Sequence, residues 1–236
     1  MRRALLVSNS TNHGEGYLDH CLAAMDEFLG PCRRLLFVPF ALRDRAAYGG
    51  KVRARMAAIG VEVEALTADE AGKAALERAA AVFVGGGNTF RLLRTLESAG
   101  LVEPLRRRAL AGLLYMGASA GSNLAGPTIK TTNDMPIVEP ESFTALGLVP
   151  FQINPHYFDV DRTTTYMGET REERLREFHE ENPTPVVALR EGAWARVEGD
   201  SAVLGGRRGA RIFRRGQDPE ERAPGASLGD LIAETA

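Results

Sequence analysis

The chain has 236 residues, with 29 Lys+Arg against 31 Asp+Glu and a formal net charge of −2. A hydrophobic share of 44% against 25% charged residues supports a packed core and excludes a disordered chain. The near-neutral balance excludes a protein built to neutralise nucleic acid, because that needs a basic face. Cys21 and Cys32 form neither a C-x-x-C pair nor a disulfide framework, and four scattered histidines provide no zinc-finger spacing. Chemistry is therefore expected from oxygen nucleophiles, carboxylates or one particular histidine. At ~100–200 residues per domain, the length predicts a single domain over 1–236.

The predicted elements alternate strand and helix. Ala4–Ser8 reads as a strand, Gly16–Leu29 as a helix, Leu35–Phe40 as a strand and Asp44–Ile59 as a helix. Val61–Leu66 is a strand, Glu70–Ala79 a helix, and Ala81–Val84 a buried strand running into Gly85-Gly86-Gly87. Helices follow over Asn88–Glu97 and Val102–Ala111, then a strand over Leu113–Gly117. Continuous apolar strands in this β–α alternation predict an α/β fold: a mostly parallel central sheet with helices on both faces. The second half is less regular. Thr128–Pro140 reads as a loop or hairpin, Phe151–Asn154 as a short strand, Arg171–Glu181 as a charged helix and Pro185–Arg190 as a strand. Ala193–Val197 and Ser201–Leu204 predict a C-terminal β-hairpin, Ile212-Phe213 a last strand, Gln217–Ala226 a surface connection and Leu228–Glu234 a terminal helix.

The run Ala4-Leu5-Leu6-Val7 is too short for a signal-peptide core. The longest uncharged stretch, Ala109 to Ile129, holds too many Gly, Ser and Asn residues for a lipid-embedded span. A cytoplasmic protein with no membrane partner is expected. A homodimer is compatible with the sequence, but no long exposed apolar stripe specifies one.

The strongest motif is Gly117-Ala118-Ser119-Ala120-Gly121, a G-x-S-x-G between a buried strand and a helix start. Serine in a tight strand-to-helix turn needs small neighbours, and the turn lifts its hydroxyl above the sheet edge. Ser119 is the expected nucleophile, with the N–H of Ala120 as one oxyanion donor. Gly85-Gly86-Gly87-Asn88 follows another parallel strand and reaches the same rim. It could complete the oxyanion hole through the N–H of Gly87 or Asn88, or cradle a phosphate in a non-catalytic nucleotide-binding module. Against the latter, neither the G-x-G-x-x-G spacing nor a Walker lysine is present. His156, after a strand-like run, is the best general base; His20 and His179 fall in amphipathic helices. The carboxylate that orients the imidazole is either Glu191, at a strand end, or Asp134, in the loop after the nucleophile. The residues alone do not choose between them.

Gly85-Gly86-Gly87-Asn88-Thr89, Gly117-Ala118-Ser119-Ala120-Gly121-Ser122, Thr131-Thr132-Asn133-Asp134-Met135, Asn154-Pro155-His156-Tyr157 and Gly168-Glu169-Thr170-Arg171 together resemble the peptidase E family. That family comprises bacterial cytoplasmic aspartyl dipeptidases related to cyanophycinases, with a fold like that of class I glutamine amidotransferases. The resemblance runs from Ser8-Asn9-Ser10 to Glu191-Gly192. It implies hydrolysis of dipeptides with an N-terminal aspartate, without a metal or organic cofactor. Ser119 and His156 would be nucleophile and base, Glu191 the triad acid, and Asp134 a further functional carboxylate. A cyanophycinase-like action on β-aspartyl-arginine linkages is the alternative within the class. Phe158 stands two residues beyond His156, so the amidotransferase H-x-E dyad is absent and the acid must come from elsewhere. An acidic substrate side chain calls for a planar bidentate cation, and Arg171, opening the charged helix, is the expected one.

Overall fold

The computed structural model describes residues 1–159 and 168–234. In chain order the elements are β1 (Arg3–Val7), α1 (Leu22–Leu29), β2 (Arg34–Val38), α2 (Arg45–Ala57), β3 (Glu62–Ala65), α3 (Glu70–Arg78), β4 (Ala81–Val84), α4 (Thr89–Ser98), α5 (Val102–Leu110), β5 (Leu114–Ala118) and the short α6 (Ala120–Asn123). They continue with β6 (Gln152–Tyr157), α7 (Arg171–Glu181), β7 (Val186–Arg190), β8 (Ala193–Glu198), β9 (Ser201–Gly206), β10 (Ala210–Phe213), β11 (Glu220–Arg222) and α8 (Gly229–Ala233). Among the described residues no helix is long and apolar enough to cross a membrane.

Seven strands form a central sheet in the order β3-β2-β4-β5-β1-β8-β9. Its first five neighbours are parallel, and the β8–β9 hairpin joins antiparallel to β1. The parallel strands are apolar on both faces because each face is covered. Leu5 and Val7 of β1 pack with Met25 and Phe28 of α1 and Val52 and Met56 of α2. Leu6 packs in the other cluster with Leu92 and Leu96 of α4 and Leu105 of α5. That cluster continues into Ile153, Val187, Leu189 and Ile212 of a second, four-stranded sheet ordered β11-β10-β7-β6.

Two expectations are corrected. The helix read from Gly16 begins at Leu22; Leu18 takes φ 59°, and its N–H donates to the Ser10 carbonyl at 2.6 Å, which ends any helix there. The supposed surface connection Gln217–Ala226 contains β11, a charged Glu-Glu-Arg strand on a sheet edge with no apolar alternation to reveal it. Four of the later strands, β6, β7, β10 and β11, build a sheet of their own, a pairing that short-range pattern does not report.

Candidate active site

β1, β4 and β5 are parallel, so their C-terminal ends share one rim. Val7 leads into Ser8 and Asn9, Val84 into the glycine loop, and Ala118 into Ser119. Because β8 is antiparallel to β1, its first residues lie beside the end of β1, with Trp194 opposite Val7. The connection from β7 to β8 therefore carries Glu191 and Gly192 to the same rim. The Ser8 N–H donates to the Ala193 carbonyl at 3.0 Å, and the Gly192 N–H donates to Asn9 Oδ1 at 2.7 Å.

Ser119 sits at φ 52°, ψ −111°, a conformation that costs a non-glycine residue on the order of 1–3 kcal/mol. Its surroundings impose that geometry. The Ser119 N–H donates to the Val7 carbonyl at 3.0 Å, and the buried Ser122 hydroxyl lies 2.7 Å from the Val7 carbonyl and 2.9 Å from that of Gly117. Tyr115 donates to the Gly121 carbonyl at 2.6 Å. The two motif glycines are required by contact. A Cβ on Gly121 would fall 2.1 Å from the Val84 carbonyl oxygen, and one on Gly117 would fall 2.5 Å from that of Gly121.

The structure brings Ser119, His156 and Glu191 into one hydrogen-bonded line. Ser119 Oγ lies 2.8 Å from His156 Nε2, and His156 Nδ1 lies 2.9 Å from Glu191 Oε1. His156 is inside β6, at an irregularity in its pairing with β7, and takes φ 57°. Its N–H donates to the fully buried Ser8 hydroxyl at 2.9 Å, which in turn donates to the Leu189 carbonyl at 2.9 Å. Ser8 and Asn9 thus hold the base and the turn bearing Glu191. The sequence assigns neither residue a role, although the polar Ser8-Asn9-Ser10 directly after a buried parallel strand is the available signal.

Asp134 is not on the imidazole. Its Oδ2 accepts from the Thr89 N–H at 2.7 Å, the Thr89 hydroxyl at 2.6 Å and the Thr132 hydroxyl at 3.1 Å, at the start of α4. Oδ1 accepts nothing among the described residues. Asn88 caps α4 through its side chain at 3.0 Å from the Arg91 nitrogen, and its own N–H is spent on the Ala41 carbonyl at 3.0 Å. Of the two loop donors considered, Gly87 is therefore the one available; like that of Ala120, its N–H has no partner among the described residues. The Gly85 N–H is likewise spent, on the Val38 carbonyl at 3.2 Å, so the loop is not an open phosphate cradle.

A cleft of about 770 Å³ opens over Ser119 and His156, lined also by Gly86, Gly87 and Asp134. Arg171 lies outside this lining. Its Nη1 donates to Asn133 Oδ1 at 2.5 Å, its guanidinium stands 5.5 Å from the Phe158 ring centroid, and its buried Nε has no partner among the described residues. Burial, and secondarily the charge of Arg174, lower its pKa from the usual arginine value. Among the described residues no group of three or more His, Cys, Asp or Glu is placed to hold a metal ion.

A family model described as peptidase family S51 matches residues 4–205. A protein named Peptidase E from Streptomyces coelicolor is 58% identical over 228 residues, covering 97% of this chain and 94% of that one. A Drosophila melanogaster protein named "Probable alpha-aspartyl dipeptidase" is 46% identical over 234 residues, covering 98% of each chain. The crystal structure of a peptidase from an acI-B1 Actinobacterium has the same fold, with a TM-score of 0.72 at 17% identity over 96% of both chains.

Proposed function

This chain belongs to peptidase family S51, and we propose that it is a cytoplasmic, single-domain serine dipeptidase that hydrolyses dipeptides with an N-terminal aspartate. The observation that carries the reading is the Ser119–His156–Glu191 line, with spacings of 2.8 and 2.9 Å, opening on a cleft. The name of the Drosophila relative supports the aspartyl substrate, and that of the Streptomyces relative supports a peptidase. The free thiols of Cys21 and Cys32 fit a reducing compartment, and the core cluster shared by both sheets supports one domain.

In this mechanism Ser119 Oγ attacks the peptide carbonyl while His156 Nε2 takes its proton. Glu191 holds the Nδ1–H tautomer and stabilises the imidazolium. The N–H groups of Gly87 and Ala120 receive the oxyanion. His156 then protonates the leaving amine, and water, activated by the same imidazole, releases the aspartyl group from Ser119. The strained Ser119 backbone keeps the hydroxyl at the rim without rearrangement.

Arg171 is assigned to the substrate's side-chain carboxylate, which would give its buried, unpartnered Nε an acceptor. Asp134, with its Oδ1 unengaged, is assigned to the substrate ammonium group. The test is hydrolysis of Asp-, Glu-, Asn- and Leu-initiated dipeptides, α and β linked, by the wild type, Ser119→Ala and Arg171→Ala. The expected result is turnover confined to α-Asp substrates, abolished by Ser119→Ala and weakened by Arg171→Ala for Asp more than for other residues. Activity on β-Asp-Arg alone would favour the cyanophycinase-like reading instead. Full activity of Ser119→Ala would reject the nucleophile.

A further inference from the structure

We propose that Arg43 and Lys51 form the subsite for the free C-terminal carboxylate of the leaving amino acid, so that the cleft selects dipeptides over longer chains. This rests on the aspartyl dipeptidase reading above. Both residues line the cleft that holds Ser119 and His156.

Covalent geometry places the terminal carboxylate close to the reacting centre. In a dipeptide the terminal carboxylate carbon is three bonds from the scissile carbon, so it lies within about 4 Å of the reacting centre. It is therefore drawn into the cleft as the carbonyl reaches Ser119. An anion drawn into the cleft loses hydration and needs a cation or charged hydrogen bonds in exchange.

The two cations stand on the wall of the cleft, beside the glycine loop. The loop before α2 lies directly on the glycine loop: a Cβ on Gly87 would be 2.7 Å from the Ala41 carbonyl oxygen and 2.7 Å from Leu42 Cδ2. The glycine loop in turn lies against the nucleophile, since a Cβ on Gly86 would be 3.1 Å from Ser119 Cβ. Arg43 follows Leu42 immediately. Ala47 and Lys51 lie four residues apart on α2 and both line the cleft, so one face of that helix is turned to it.

Neither cation is neutralised. Among the described residues Arg43 and Lys51 make no hydrogen bond or ion pair. The Lys51 ammonium lies 4.3 Å from the Tyr17 ring centroid, a contact that steadies the charge without using its N–H donors. Asp44, the neighbouring carboxylate, accepts from the Ala47 N–H at 2.9 Å as the N-cap of α2. Arg171 is already assigned to the aspartyl side chain.

The experiment compares Asp-Leu with Asp-Leu-amide, and Leu-Leu with Leu-Leu-amide, for the wild type and an Arg43→Ala/Lys51→Met double variant. The wild type is expected to favour the free acid in kcat/KM by roughly tenfold or more, the range for hydrogen bonds to a charged group. In the double variant that ratio should collapse to near unity. A wild-type ratio near unity, or a ratio retained by the double variant, overturns the subsite. A free-acid preference without any preference for Asp over Leu would support the subsite while refuting the aspartyl reading.

Discussion

The backbone N–H of His156 donates to the Oγ of Ser8 at 2.9 Å, joining the histidine strand to the end of the first strand of the other sheet. Ser8 is fully buried and donates a hydrogen bond to the Leu189 carbonyl, so one hydroxyl ties β1, β6 and β7 together. It also satisfies the N–H of a residue held at φ 57°, where a non-glycine backbone is strained. The imidazole's aim at Ser119 depends on that clasp.

Ser8→Ala should therefore lower kcat by about tenfold to a hundredfold while KM changes little, because misplacing a base by about 1 Å costs rate rather than binding. Leaving the His156 N–H and the Leu189 carbonyl unpaired should also cost about 1–3 kcal/mol of stability. Steady-state kinetics well below the lowered unfolding temperature, alongside denaturant unfolding, test both. An unchanged kcat with the stability loss intact would make Ser8 purely structural.

Glu191 and Asp134 should separate kinetically. Glu191→Gln removes the charge beside His156 Nδ1 and is expected to reduce kcat by roughly 10²–10⁴. Asp134→Asn is expected to act mainly through KM, because its carboxylate contacts Thr89 and Thr132 rather than the imidazole. The reverse pattern in kcat and KM would exchange the two roles.

Gly121→Ala tests the turn that carries the nucleophile. The new Cβ would overlap the Val84 carbonyl oxygen, so strand or turn must shift. A loss of about 1–3 kcal/mol in stability is expected together with near-complete loss of turnover. Gly14→Ala is a useful comparison: φ is positive at 78° there, but nothing lies within 4 Å of the added carbon. It should leave turnover intact.

Acid should weaken the second sheet. Arg190 beside Asp159 and Arg222 beside Glu220 hold both carboxyls below their ordinary values of 3.8 and 4.5. Their folded-state pKa values are depressed, so the stability they contribute is fully present above about pH 5. It is lost as the pH falls through the depressed folded values, below those ordinary ones. Melting curves across that range should show Asp159→Asn and Glu220→Gln flattening the acid limb; both carboxylates are largely exposed, so the effect should be small. An acid limb identical to the wild type would discount them.

Much of the fold is readable in the chain because burial on both faces of a parallel sheet leaves unbroken apolar runs, such as Ala4–Val7 and Ala81–Val84. The Gly-Ala-Ser-Ala-Gly turn is equally legible, since a tight strand-to-helix turn tolerates only small neighbours. The edge strand Glu220–Arg222 is not, because an exposed charged strand carries no alternation to detect. Nor is the early break at Leu18, where a single contact to the Ser10 carbonyl overrides an otherwise helical pattern.

The sequence by itself determined the α/β layering, the serine at the rim and the histidine best suited to serve it. It left open which carboxylate meets that histidine, and only the tertiary structure decided it. Glu191 reaches His156 because β8 runs antiparallel to β1 and so begins where β1 ends, while Asp134 is drawn to the start of α4. Local periodicity encodes which face of an element is buried. It does not encode which two elements, 35 residues apart along the chain, will be brought within 2.9 Å of each other.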